Sequence, residues 1–252
     1  MTPLRHALVT GGGSGVGRAI ALALADDGID VTICGRREAQ LAAVKAESDR
    51  IHGIVADVTD EESVAALYEK SETARGPFDI VVANAGMAGS APAHKVSLVD
   101  WQQTLAVNLT GAFLTVKPAL AGMAKRKQGR IIFVASTAGL KGYAYVAPYV
   151  AAKHGVVGLM RALAAENART GVTVNAVCPG FVETDMLDES VQRIVEKTGR
   201  SEEEARKSLA ATNPQNRFIQ PDEVAAAVLW LCSDAARSIT GQAISVSGGE
   251  TW

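Results

Sequence analysis

Short runs of β-branched residues alternate along the chain with longer segments rich in Ala and Leu. The short runs predict strands at residues 6–10, 30–34, 53–56, 80–83, 130–135, 172–177 and 242–246. The longer segments follow a helical period and predict helices at residues 16–27, 38–48, 61–74, 98–125, 148–170 and 221–232. Strands that alternate with helices in this way predict βαβ units, and therefore a parallel sheet with helices on both faces.

One region interrupts this alternation. Between Gly180 and Pro221 about forty residues carry no strand signal, and residues 189–197 and 201–210 have the charged, amphipathic pattern of helices. An insertion of this length after a late strand forms either a lid or an interface element, and we favour a lid at residues 183–215. The sequence thus predicts one α/β domain over residues 1–252: a doubly wound, Rossmann-like, seven-stranded parallel sheet with a helical lid before its last helix and strand.

Composition and charge narrow the class of protein. The chain has 252 residues, of which 48% are hydrophobic and 21% charged, and its net charge is −2. These values do not suggest a nucleic-acid or membrane partner. No uninterrupted apolar run approaches the ~18 residues of a membrane span, and no signal-peptide pattern is present. The three cysteines lie far apart without metal-ligand spacing, so we expect buried thiols, no metal and a cytoplasmic protein.

A glycine-rich turn follows the first predicted strand. The segment reads Thr10-Gly11-Gly12-Gly13-Ser14-Gly15-Val16-Gly17 and leads directly into a helix. Glycines allow a tight turn and close approach of a pyrophosphate, and the helix N-terminus offers free N–H groups to the anion. The segment lacks the Lys-Ser/Thr pair of a nucleoside-triphosphate P-loop. It predicts a dinucleotide site, although glycine runs alone are a weak signal.

The end of the second predicted strand bears on the choice of cofactor. A fold that binds NAD usually places an acidic residue there to bond the ribose 2′-hydroxyl, but this chain has Gly35-Arg36-Arg37. Two guanidiniums can bind a 2′-phosphate through charge-assisted hydrogen bonds. We therefore favour NADP(H), with NAD(H) still possible, because the arginines could also simply be solvated at the start of the next helix.

A candidate catalytic pair opens the helix predicted at 148–170. Tyr149 and Lys153 are four residues apart and so share one helical face. A nearby ammonium would lower the pKa of the phenol toward working pH, where tyrosine can act as a general acid or base. Ser136 follows a strong apolar strand, where a doubly wound sheet presents ligands. Asn108 lies within an apolar helix, either for packing or to hold a water near Lys153.

Taken together, these motifs resemble those of the short-chain dehydrogenase/reductase family. The residues that carry the resemblance span essentially the whole chain in the family's order and spacing: Thr10-Gly11-x3-Gly15-x-Gly17, Asn84-Ala85-Gly86, Asn108, Ser136, Tyr149-x3-Lys153 and Pro179-Gly180. The resemblance implies strand order 3-2-1-4-5-6-7 and a catalytic tetrad of Asn108, Ser136, Tyr149 and Lys153. Segments 147–158 and 174–184 also resemble aromatic polyketide ketoreductases and β-ketoacyl thioester reductases.

The turn, the arginines and the resemblance together predict three groups of site residues. The catalytic residues are Asn108, Ser136, Tyr149 and Lys153. The cofactor-binding residues are Gly11, Ser14, Gly15, Val16, Gly17, Arg36, Arg37, Asp57, Val58, Asn84, Ala85, Gly86, Tyr149, Lys153, Pro179, Gly180, Val182 and Thr184. The substrate-binding residues are Ser136, Thr137, Tyr143, Tyr149, Phe181 and Met186, and Leu140 and Leu187 are further candidates to line the pocket.

These residues predict hydride transfer between NADP(H) and a ketone or secondary alcohol. We expect the substrate to be a small-molecule ketone or an acyl thioester. Within this class we favour a 3-ketoacyl thioester or a related ketone. One alternative is an NAD-dependent secondary alcohol or 3-hydroxyacyl-CoA dehydrogenase that works in the oxidative direction. The other is a dinucleotide-binding protein without catalysis. The lid cations (Arg193, Lys197, Arg200, Arg206 and Lys207) are mixed with acids and predict a solvated face.

The state of assembly is inferred from two apolar features. The predicted helices 98–125 and 148–170 have Ala- and Leu-rich faces wider than one sheet face would cover, and such helices commonly pair subunits in this family. Trp252 is an aromatic side chain suited to a neighbour's surface or to its own core. We expect a homotetramer, or a homodimer.

Overall fold

The computed structural model describes residues 4–251. Within them one sheet contains β1 (His6–Thr10), β2 (Asp30–Gly35), β3 (Ile51–Val55), β4 (Ile80–Ala83), β5 (Gly129–Val134), β6 (Val172–Pro179) and β7 (Ala243–Val246). Every pairing is parallel, and the order is β3-β2-β1-β4-β5-β6-β7. The predicted seven-stranded, doubly wound sheet and its strand order are therefore confirmed.

Helices cover both faces of this sheet. They are α1 (Gly15–Asp26), α2 (Glu38–Lys45), α3 (Glu61–Arg75), α4 (Leu98–Leu105), α5 (Gly111–Arg126), α6 (Ala147–Asn167), α7 (Asp185–Thr198), α8 (Glu202–Ala210) and α9 (Pro221–Cys232). Successive strand residues point to opposite faces, so Leu8 packs in the core beneath α3, α5 and α6, whereas Val9 packs in the core beneath α1 and α9. Burial on both faces explains why these strands are apolar throughout.

Several predicted boundaries are wrong by a few residues. The largest shift among the strands is that of β3, which was expected at 53–56 and runs over Ile51–Val55. Gly53 lies in the middle of this strand, where an added Cβ would approach the Leu41 Cβ to 3.2 Å. The glycine therefore marks the close packing of α2 on β3 rather than the start of the strand. Helix α6 ends at Asn167 instead of 170, because Thr170 closes a turn onto the Asn167 carbonyl.

The single helix expected at 98–125 is also wrong. The segment consists of α4, a π-helical turn (Ala106–Thr110) and α5. A π-turn inserts one extra residue and releases a backbone carbonyl from the α-helical pattern. The Nδ2 atom of Asn108 donates to the Thr104 carbonyl at 3.0 Å, so the side chain supplies this partner. The buried asparagine explains the interruption, which the apolar periodicity of the segment does not reveal.

The segment Leu98–Arg126 is, by length and composition alone, also apolar enough to cross a membrane. In the structure the π-turn interrupts it, α5 packs against β4 and β5, and α4 packs against α6. The apolar residues of this segment are therefore explained by its packing within the α/β fold.

The insertion before α9 forms α7 and α8. Helix α7 begins at Asp185, four residues earlier than predicted, and Ser201 caps α8 through a reciprocal capping box with Glu204. Leu187 and Val191 join a small apolar cluster that is separate from the two cores beside the sheet. A separate cluster allows the two helices to behave as a unit.

The cysteines Cys34, Cys178 and Cys232 are buried and unpaired, as expected. Trp252, which was considered for subunit contact, lies outside the described residues.

Candidate active site

A cleft of about 720 Å³ opens at the carboxyl ends of the strands, where the sheet order reverses between β1 and β4. Ligands of doubly wound sheets bind at this point of reversal. All the predicted catalytic, cofactor-binding and substrate-binding residues line this one cleft, as does Leu187. Leu140 is different: it packs against the core beneath α6 and does not line the cleft.

The glycine-rich turn forms one wall of the cleft. Gly11 and Gly15 have φ angles of +65° and +51°, which favour glycine. A Cβ on Gly17 would lie 2.2 Å from the Gly11 carbonyl oxygen, so helix α1 can meet the turn only at a glycine. The first turn of α1 contains no acidic residue, and the Ser14 hydroxyl makes no cap hydrogen bond. This end of the helix therefore keeps free N–H groups and a favourable dipole for an anion such as a pyrophosphate.

Thr10 and Asn84 join the ends of the two strands that flank the cleft. The Thr10 Oγ1 atom accepts hydrogen bonds of 3.1 Å from the backbone N–H groups of Asn84 and Ala85. The Asn84 Nδ2 atom donates to the Thr10 carbonyl at 2.8 Å. These bonds cross-link β1 to the loop after β4. They account for the polar segment Asn84-Ala85-Gly86 directly after an apolar strand.

Arg36 and Arg37 stand at the far end of the cleft and are both exposed. Asp57 follows the end of the neighbouring strand β3, where hydrogen bonds from the backbone and side chain of Thr59 lower the pKa of its carboxyl, and Arg36 contributes a smaller lowering. The Asp57 carboxylate thus accepts its hydrogen bonds from Thr59 in the same turn, while the guanidinium groups of Arg36 and Arg37 face solvent beside the cleft. This end presents positive charge suited to a phosphate.

Tyr149 and Lys153 lie one turn apart at the start of α6. The Lys153 Nζ atom is 5.6 Å from the centre of the Tyr149 ring and donates to the Val134 carbonyl at 2.9 Å. Lys153 is 4% exposed and Tyr149 is partly buried. The pair therefore lies at the floor of the cleft, beside the end of β5.

Burial has opposite effects on the two pKa values. It raises the pKa of Tyr149, and a hydrogen bond with Ser136 opposes that increase. It also lowers the pKa of Lys153 to about 8. The expectation that the ammonium brings the phenol pKa toward working pH is therefore wrong in this structure, because the desolvation of the phenol, which favours its neutral form, outweighs the opposing effects of its neighbours. A phenol that keeps its proton is suited to act as an acid.

Ser136 follows β5 and begins a short 3₁₀ turn. Its Oγ atom accepts from the backbone N–H of Ala138 at 3.1 Å, which fixes the side chain and leaves the hydroxyl proton to other partners. Thr137 and Tyr143 are its neighbours in the cleft, and their hydroxyl oxygens are 2.7 Å apart. The end of β5 thus concentrates hydroxyl groups beside Tyr149.

Asn108 is 1% exposed and ties the π-turn to the loop after β4. Its Nδ2 atom donates to the Met87 carbonyl at 2.9 Å as well as to Thr104, and its Oδ1 atom accepts from the Met87 N–H at 3.3 Å. A Cβ on Gly86 would lie 2.9 Å from Oδ1 and 3.8 Å from the Lys153 Nζ atom. The amide is thus engaged by backbone groups and lies close to the lysine.

Some residues of the cleft were missed by the sequence analysis. Among them are Met87 from the loop after β4, and Asp185, Ser190 and Arg193 from α7. The earlier start of α7 would have pointed to the last three, because residues three and four apart along a helix face the same side. Within residues 4–251, no group of three or more His, Cys, Asp or Glu side chains could hold a metal ion.

The family model for short chain dehydrogenases matches residues 5–194. The chain belongs to the short-chain dehydrogenase family. Dehydrogenases are oxidoreductases, so the chain is an oxidoreductase.

Individual relatives cover nearly the whole chain. It is 42% identical over 249 residues to the "Granaticin polyketide synthase putative ketoacyl reductase 1" of Streptomyces violaceoruber, covering 96% of this chain and 92% of that protein. It is 38% identical over 250 residues to the D-beta-hydroxybutyrate dehydrogenase of Cupriavidus necator, covering 97% of each. The crystal structure of a single-residue variant of actinorhodin polyketide ketoreductase with NADPH superposes with a TM-score of 0.95 at 40% identity, covering 98% of this chain and 97% of that one.

Proposed function

We propose that the protein reduces a ketone with NADPH, and that Asn108, Ser136, Tyr149 and Lys153 form its catalytic centre. The observation that carries the proposal is one shared cleft, which is lined by a protonated phenol, a serine hydroxyl and the free N-terminus of α1. Arg36 and Arg37 supply positive charge for a 2′-phosphate, and one similar structure contains NADPH.

Each residue of the cleft has a separate role in the proposed reduction. A bound nicotinamide dinucleotide would supply the hydride, and the glycine turn with residues 84–86 and 179–184 would hold it. Ser136 holds the ketone oxygen, and Tyr149 gives its proton to that oxygen as negative charge develops. Lys153 stabilises the resulting Tyr149 phenolate by its charge and relays a proton to it from solvent, while Asn108 keeps the loop after β4 against this centre.

The protonation state of Tyr149 favours ketone reduction over alcohol oxidation. Since burial raises the pKa of its phenol, the side chain is protonated near neutral pH and ready to donate. A 3-ketoacyl thioester or a related ketone is the proposed substrate, because ketoacyl reductases are among the relatives. The D-beta-hydroxybutyrate dehydrogenase among them supports oxidation of a secondary alcohol as the second candidate, for which we propose NAD as the cofactor.

The lid and the assembly are further proposals. Helices α7 and α8 would close over the substrate, since Phe181, Met186 and Leu187 line the cleft from this side. A homotetramer or homodimer would cover Trp101 and Phe113, which are 36% and 39% exposed on α4 and α5. Light scattering tests the assembly, and cell fractionation tests the cytoplasmic location.

A substrate panel tests the proposed activity. NADPH oxidation is followed with acetoacetyl-CoA, with alicyclic and aryl ketones, and with NADH in place of NADPH. We expect turnover of at least one ketone, faster with NADPH than with NADH. Faster NAD⁺-linked oxidation of 3-hydroxybutyrate would instead establish the second candidate, and tight NADPH binding without turnover of any ketone or alcohol would indicate a dinucleotide-binding protein.

A further inference from the structure

A buried carboxylate stands behind the substrate side of the cleft. Glu250, in the segment after β7, is 1% exposed at its side chain. Its Oε1 atom is 2.5 Å from the Tyr143 hydroxyl and 3.1 Å from the Lys141 Nζ atom. Tyr143 lines the cleft, whereas Glu250 does not. The carboxylate therefore acts on the cleft wall from behind.

The chemistry of the three groups sets the direction of their hydrogen bonds. A carboxylate only accepts, and the Lys141 ammonium pairs its charge. The Tyr143 phenol has a single proton and two acceptors in reach, Glu250 at 2.5 Å and the Thr137 hydroxyl at 2.7 Å. Since the charged acceptor forms the stronger bond, Tyr143 donates to Glu250, and Thr137 must donate to Tyr143. Burial and the bond to Glu250 raise the pKa of Tyr143, so this proton stays in place.

This directed chain decides which hydroxyl protons a substrate can reach. Ser136, Thr137, Tyr143 and Tyr149 lie together at this end of the cleft. The protons of Thr137 and Tyr143 point along the chain toward Glu250, whereas Ser136 and Tyr149 keep theirs for the reaction. A ketone oxygen therefore finds hydroxyl donors at Ser136 and Tyr149, and only lone pairs at the neighbouring wall.

We propose that Glu250 is a positioning residue that draws the protons of Tyr143 and Thr137 away from the cleft, so that a ketone oxygen binds at Ser136 and Tyr149 and not at the wall. The inference rests on the proposed reductase function. Gly180 makes room for the carboxylate: a Cβ there would lie 3.1 Å from the Glu250 Oε2 atom, which has no hydrogen-bond partner within residues 4–251.

Two variants separate positioning from simple anchoring of the C-terminal segment. Glu250→Leu removes the acceptor and frees one hydroxyl proton at the wall, while Glu250→Gln keeps an acceptor oxygen in the same place. With the best ketone of the panel, we expect Glu250→Leu to lower kcat and KM together by about three- to tenfold, the worth of one neutral hydrogen bond. The ratio kcat/KM should change little, as for non-productive binding. Glu250→Gln should stay close to wild type.

A binding measurement provides a readout without turnover. Calorimetric titration of the same ketone into the enzyme with NADP⁺ should show tighter binding to Glu250→Leu than to wild type. The proposal is overturned if Glu250→Leu leaves kcat, KM and ketone affinity unchanged. It is also overturned if both variants lose kcat/KM and thermal stability equally, which would indicate anchoring. Absence of ketone turnover in the wild type refutes the reductase function itself, and is seen before any variant is compared.

Discussion

The Nζ atom of Lys153 donates a 2.9 Å hydrogen bond to the carbonyl of Val134, the last residue of β5. This bond fixes the start of α6 against the strand that leads to Ser136. It also holds the ammonium group in a position where Lys153 is only 4% exposed. Burial disfavours the charged form, and the pKa of the lysine is lowered for this reason. Burial of Lys153 in the proposed catalytic centre therefore reduces the stability of the fold wherever the lysine is charged.

Lys153 should make stability depend on pH. Its pKa is about 8 in the folded protein and 10.5 as its ordinary value, so the unfolded chain binds more protons between these limits. The contribution of Lys153 to the free energy of unfolding is therefore lowest below pH 8 and increases as the pH rises toward 10.5. In Lys153→Met the increase between pH 8 and 10 should disappear, measured as the free energy of unfolding in urea at several pH values. An unchanged pH dependence would contradict the burial of the charge.

A side chain at Gly17 should weaken both the fold and the binding of NADPH. A Cβ there would lie 2.2 Å from the Gly11 carbonyl oxygen and 2.5 Å from the Asn84 Nδ2 atom. Gly17→Ala should cost about 1–3 kcal/mol of stability and weaken NADPH binding at least about tenfold. Gly89→Ala is the control, because a Cβ there meets no atom within 4 Å. Equal NADPH affinities of the two variants by fluorescence titration would show that the turn does not hold the cofactor.

Arg36 and Arg37 should select between the two dinucleotides. Each charge-assisted hydrogen bond to a 2′-phosphate is worth about 1.5–3 kcal/mol. The double variant Arg36→Ala, Arg37→Ala should therefore raise the KM for NADPH about tenfold or more and leave the KM for NADH nearly unchanged. Steady-state kinetics with both cofactors measure this. An equal loss for both would mean that the arginines serve the fold and not the phosphate.

Asn108 and Asn167 form a matched pair for separating stability from catalysis. Both are buried, and the Nδ2 atom of each donates to the carbonyl four residues earlier. Either alanine substitution should cost about 1–3 kcal/mol, because a buried side-chain hydrogen bond and the packing of the amide are lost. Only Asn108→Ala should also lower kcat, since it releases the loop at Met87 from the centre. If Asn167→Ala lowers kcat as strongly, the role of Asn108 is structural alone.

The sheet and most of the cleft could be predicted from the sequence because they follow from local rules. Apolar runs mark the strands, and polar or glycine-rich segments directly after them come together at the carboxyl edge of a parallel sheet. Ser136 after β5 and Asn84 after β4 are examples. A motif of fixed spacing along one helix, such as Tyr149 with Lys153, is equally local.

Other features depend on contacts that no local pattern records. Glu250 meets Tyr143 across 107 residues of sequence, and it does so from a polar segment without a motif. The π-turn at Asn108 depends on backbone partners in another loop, while its sequence keeps a helical period. The pKa of Tyr149 was expected to fall because a cation is near, but the depth of burial, which the sequence does not show, decides its direction.

The central claim is that Tyr149 donates the proton in ketone reduction, and Tyr149→Phe tests it most directly. The variant should bind NADPH with wild-type affinity by fluorescence titration, and its kcat should fall by about 10²- to 10⁴-fold, the usual contribution of a general acid. Tyr145→Phe, at a residue 64% exposed and outside the cleft, is the control and should keep full turnover. Turnover by Tyr149→Phe near the wild-type rate, with NADPH bound, would contradict the account.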